Sequence, residues 1–208
     1  MTASPARSAS LPDLPRRTAR AVTEAFAPSV LLILVLLAVG WQATPDRGRG
    51  HGLGWAALTA FLCSVLPYAF VHWGVRNERW ADRHIPRRDQ RLIPFLFAMA
   101  CVVTAIALLS SSPGAPRDLL ALATAMVVGL SMTLLITLSW KISVHTAVAS
   151  GVTAVLLVTY GPVLLWFVPV PVLTAWSRVT LKDHTPVQTV AGAVVGATVA
   201  TAVYRFVR

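Results

Sequence analysis

The chain has 208 residues, of which 56% are apolar, and only 18 basic and 8 acidic side chains, for a net charge of +10. That composition excludes an ordinary soluble domain, and the apolar residues gather in blocks such as Val30 to Val39 rather than alternating with charge. The positive charge does not point to nucleic acid, because the basic residues sit in short connections between apolar blocks, where membrane topology accounts for them.

Residues 1–22 are rich in Ser, Pro, Ala and Arg without an apolar period. They read as a disordered basic tail whose Arg16, Arg17 and Arg20 lie at the lipid headgroups, with residues 23–208 as a single transmembrane domain. No small-x-small site follows the first apolar block, so an uncleaved first span is expected. Seven apolar segments follow, at about 26–42, 53–75, 93–111, 119–139, 144–160, 162–176 and 187–206. The weakest division is at Gly161-Pro162, a strong helix breaker, so the expected fold is an all-α polytopic bundle of six to seven spans. Cys63 and Cys101 fall inside apolar blocks without metal-binding spacing and read as small core residues. Gly192 and Gly196, in GxxxG spacing, are expected to pack spans of one chain together.

With seven spans, one face collects 13 of the basic residues and the other five, and the positive-inside rule then places the rich face in the cytoplasm of a cell membrane. That face also receives three polar clusters, at 79–94, 139–145 and 176–192. Ionisable residues at span ends are costly and usually serve a site or one another. The inventory of two histidines, several fixed cations, a hydroxyl and few carboxylates suits an anionic, oxygen-rich substrate such as a phosphate ester. Thr185 and Asp183 are good N-caps and Pro186 suits a first helical turn, which puts His184 at a helix N-terminus, where an anion is favoured. Arg178 can fork onto phosphate oxygens, and Gln188 is four residues beyond His184, within reach to orient its ring. Ser143 and His145 stand two apart before another span, near Lys141, and a histidine there is suited to general acid work.

Ser143-Val144-His145, and Ser177-Arg178 followed by five residues and His184, resemble the later motifs of the type 2 phosphatidic acid phosphatase family, Pro-Ser-Gly-His and Ser-Arg-x5-His-x3-Asp. The resemblance covers roughly residues 79–200. It implies a covalent mechanism without metal or other cofactor: His184 as the nucleophile that forms a phosphohistidine, His145 as the acid for the leaving group, and Ser143, Arg178 and Arg91 as phosphoryl ligands. Three positions depart from the family pattern. The motif Lys-x6-Arg-Pro is half present, with Arg91 as its arginine, His84 at the lysine position and Leu92 in place of proline. Val144 replaces glycine, and Gln188 replaces the aspartate that orients the nucleophilic histidine. The expected partners are a lipid or isoprenoid phosphate and membrane lipids. Two alternatives stand beside the phosphatase: a catalytically impaired lipid-phosphate binding protein, and an isoprenoid diphosphate transferase or cyclase. The carboxylates Glu78, Asp82 and Asp89 form only one weak cluster, where a magnesium-dependent prenyltransferase needs two.

Overall fold

The computed structural model describes residues 14–44, 46–77 and 88–208, with the side chains of 88–91 outside the description. The described residues form an all-α bundle without strands: α1 Leu14–Ala25, α2 Pro28–Ala43, α3 Arg49–Ala60, α4 Leu66–Arg76, α5 Arg88–Ser111, α6 Arg117–Ser139, α7 Val144–Tyr160, α8 Pro169–Thr180 and α9 Pro186–Val207. Among these residues six helical stretches are long and apolar enough to cross a membrane.

Local chemistry explains the irregular points. Pro67 has no N–H to offer the preceding turn, and the helix widens into one π turn, Phe61–Val65, just before it. Ser64, within that turn, turns its hydroxyl outward to donate to the Ser29 carbonyl of α2 at 2.9 Å. The break expected at Gly161-Pro162 is present. Gly161 has φ 75° and ends α7, and a 3₁₀ segment, Gly161–Phe167, leads into α8.

α8 has only 12 residues, about 18 Å of helix, too short to span lipid alone. The bundle nevertheless requires a crossing there, because α7 and α9 run parallel. A Cβ on Gly192 would sit against the Ser143 carbonyl, one on Gly196 against Ala147, and one on Gly151 against Gly196 and Ala200. Ser143 N also donates to the Gln188 carbonyl at 3.3 Å. Both helices therefore start at the same end of the bundle, and the 3₁₀ segment with α8 returns the chain between them. The small faces of Gly192 and Gly196 thus join two helices of one chain. At the opposite end Arg208 pairs with Asp118 at 2.9 Å, which closes the last helix onto the start of α6.

One expectation changes at the N-terminus. The stretch assigned to a disordered tail is helical from Leu14, with Ala19 and Thr23 buried and Arg16, Arg17 and Arg20 exposed. The polar sequence conceals a one-sided pattern. α1 packs on α8, where the Thr23 hydroxyl donates to Ser177 Oγ at 3.1 Å in a buried contact.

Candidate functional site

The polar clusters meet because α7 and α9 share an end and α8 finishes there. α8 ends with Lys182 in the left-handed region, φ 61°, a conformation that reverses the chain. Asp183 N and His184 N then both donate to the Arg178 carbonyl, at 3.1 and 3.3 Å. The five-residue interval between Arg178 and His184 is thus the length of one helix end folded back on itself. No glycine marks this turn, so the sequence carries no strong signal for it.

Thr185 caps α9 by accepting from Gln188 N at 3.3 Å, and the Gln188 side chain accepts from Thr185 N at 3.1 Å. This reciprocal capping box, legible in Thr185-Pro186-Val187-Gln188, fixes the first turn beside His184. Gln188 also favours the charged form of the His184 ring, but ring Nδ1 is buried without a hydrogen-bond partner among the described residues. The amide that the sequence assigns to orienting the imidazole is shared with the helix cap.

Ser143 is fully buried and caps α7, its Oγ accepting from Thr146 N at 3.4 Å. Lys141 Nζ donates to the Asp183 carbonyl, tying the second cluster to the third. His184 is held neutral: burial, then Lys141, then Arg178 push its pKa down from 6.5 to about 4, against smaller opposing effects of Gln188 and Asp183. A neutral imidazole has a free lone pair, the form a nucleophile needs.

Arg178 is 4% exposed, and one of its terminal nitrogens lies 3.0 Å from the Asp183 carboxylate. Its Nε is buried without a partner among the described residues, so the guanidinium is half paired. It faces a cavity of about 810 Å³ that is also lined by His145 and Asp183 and, from α1, by Arg20, Thr23 and Glu24. Ser143, Lys141, His184 and Gln188 are not among the lining residues. Arg91 lies in the first turn of α5, and its side chain is outside the described residues, as are Glu78, Asp82 and His84. Sequence reasoning missed the α1 residues that line the cavity, because Arg20 falls in the stretch that reads as tail and Thr23 and Glu24 lie between it and the first apolar segment; the spacing of Ala19 and Thr23, four apart, was the available signal.

Away from its mouth the cavity is walled by apolar residues of α2, α4, α5, α6 and α7, such as Leu32, Val71, Phe95, Met126, Val148 and Val152. A cation at one end of an apolar chamber is a receptacle for an amphiphilic anion. Residues 121–208 match the family model of the PAP2 superfamily. The match begins inside α6 and includes both histidines, Arg178 and Ser143, and the resemblance to type 2 phosphatidic acid phosphatases is borne out over that stretch. This match supports a phosphatase-type function on lipid phosphates in general terms. No match to the chain was found among curated proteins, and none among solved structures.

Proposed function

We propose that the protein is a membrane-embedded phosphatase that hydrolyses a phosphate or diphosphate carried on a lipid or isoprenoid chain, through a phosphohistidine on His184. The observation that carries this reading is the half-paired Arg178, buried in the wall of a largely apolar cavity and next to a neutral histidine. A buried cation with unused donors gains charge-assisted hydrogen bonds when phosphoryl oxygens arrive. Arg20, exposed at the cavity mouth, adds a second cation for the headgroup.

In the proposed reaction a ring nitrogen of His184 attacks phosphorus as the bond to the leaving oxygen breaks, and His145 supplies the proton to that oxygen. Arg178, with Ser143, Lys141 and Arg91, stabilises charge on the phosphoryl oxygens. Water then cleaves the phosphorus–nitrogen bond, and His145 takes its proton. Ser143 Oγ accepts within its own helix and keeps its O–H to donate. His184 does not line the cavity in this conformation, so the proposed attack requires its side chain to turn toward the phosphoryl group. The distribution of basic residues supports a cytoplasmic site face at a cell membrane.

A second reading has its own support. With Gln188 in the capping box and Nδ1 unheld, the ring lacks a carboxylate to steady its cationic form, and the site would bind lipid phosphates with little turnover. Phosphate release by detergent-purified protein, from phosphatidic acid, phosphatidylglycerophosphate and polyprenyl mono- and diphosphates in EDTA, separates the two. Release that His184→Ala abolishes is expected. Binding without release from any member favours the second reading, and loss of release in EDTA alone overturns the metal-independent mechanism.

A further inference from the structure

The apolar arm of the cavity is specific about depth. Along α7 its wall runs from His145 to Val155, ten residues or about 15 Å of helix, which is half of a hydrocarbon core of about 30 Å. On α6, which ends at the site face, the wall descends from Thr133 to Leu122. Leu122 and Val155 are its deepest residues on these helices, and both are buried.

Of the glycines in this wall, Gly151 and Gly129, on α7 and α6, differ in what surrounds them. A Cβ added at Gly151 meets the Gly196 carbonyl at 3.2 Å and Ala200 at 3.3 Å, so that glycine is consumed by helix packing. A Cβ at Gly129 meets only Val199 Cγ1, at 4.0 Å. Gly129 lies ten residues before the end of α6, again about 15 Å below the site face. A glycine inside a helix lowers helix stability, and here no neighbouring backbone requires it. What its missing side chain leaves is room in the lower cavity.

We infer that the cavity sheathes the hydrocarbon chain of the phosphate substrate and that Gly129 sets how much of that chain it accepts. The occupant follows from continuity: the arm opens directly onto Arg178 and His145, so a molecule whose phosphate meets that guanidinium has its chain beside Gly129. A chain that ends above this level is indifferent to residue 129, and a longer one is not. The identity of the headgroup rests on the phosphatase reading; the length selection does not.

The test is thermal stabilisation of the purified full chain by octyl phosphate and by hexadecyl phosphate, with phosphate release from the same compounds measured in parallel. Both should stabilise the unaltered protein. Gly129→Leu should keep its apparent affinity for octyl phosphate within about twofold and lose that for hexadecyl phosphate by about tenfold or more, the size expected when a well-fitting apolar contact is blocked. Should Gly129→Leu fail to fold, Gly129→Ala decides, since its methyl fits the 4.0 Å gap, and it should show a smaller loss confined to the long chain. Parallel loss or parallel retention of both ligands overturns the inference. Length selection without phosphate release overturns the phosphatase reading alone, release without length selection overturns this inference alone, and neither stabilisation nor release with either compound overturns both.

Discussion

Two parts of the bundle use glycine in opposite ways. On the seam between α7 and α9, Gly192 and Gly196 lie against the carbonyls of Ser143 and Ala147, so that two helix starts, one carrying His145 and the other following His184, are held at one level. On α6, a Cβ at Gly129 would meet only Val199 Cγ1, at 4.0 Å. The seam spends its missing side chains on close approach, and the α6 wall leaves them as volume. The comparison teaches that the geometry of the polar end is set by backbone contacts that tolerate no added atom, whereas the apolar end is set by side-chain volume and can be retuned.

Substitutions on the two sides should therefore differ in kind. The largest effect is expected from Gly196→Val, whose Cβ would overlap the Ala147 carbonyl. Overpacking a well-filled contact costs about 1–3 kcal/mol, and a backbone wall yields less readily than a side chain. If the helices part rather than unfold, a shift of about 1 Å between the two histidines would lower the rate about a hundredfold. A melting curve together with phosphate release checks both effects, and Gly129→Ala, read in the same assays, should leave the melting temperature unchanged or higher. Equal damage at the two positions would break the contrast.

A smaller effect is expected on the pH profile. His184 is neutral above about pH 4, so the acid limb it controls lies there rather than near 6.5. The unfolded chain takes up this proton at about 6.5 and the folded chain only near 4, so the neutral ring's contribution to stability is full above 6.5 and declines as pH falls from 6.5 to 4. Lys141→Gln removes one of the cations that repel the imidazolium and should move the acid limb upward, toward 6.5, with its plateau rate lowered if Lys141 also touches phosphate. An unmoved limb would mean that burial and Arg178 hold the ring neutral without Lys141.

Much of this architecture was legible in the sequence, for identifiable reasons. Apolar blocks of span length give the passes of the chain with little ambiguity, because lipid requires every backbone group to be satisfied within a helix. The Gly161-Pro162 break was legible too, but not how the chain continues after it: a 3₁₀ segment and a 12-residue helix together make the return that neither makes alone. The motif spacings brought Ser143, His145, Arg178 and His184 to notice. Their burial, and the half-paired state of Arg178, depend on neighbours far apart in the chain. α1 is not legible as a helix because its buried residues are alanine and threonine, which carry little hydrophobic signal. Gln188 was read for one partner and has two demands on it, since a capping box and an orienting hydrogen bond use the same amide.

Covalent catalysis at His184 is tested by trapping the intermediate. The purified protein would be mixed with phosphorus-32-labelled lipid phosphate, quenched in alkali, where a phosphohistidine survives, and digested to locate the label. Label is expected on the peptide that contains His184, lost on acid treatment and absent from His184→Ala. Phosphate release that continues in His184→Ala, or label on another residue, would contradict it.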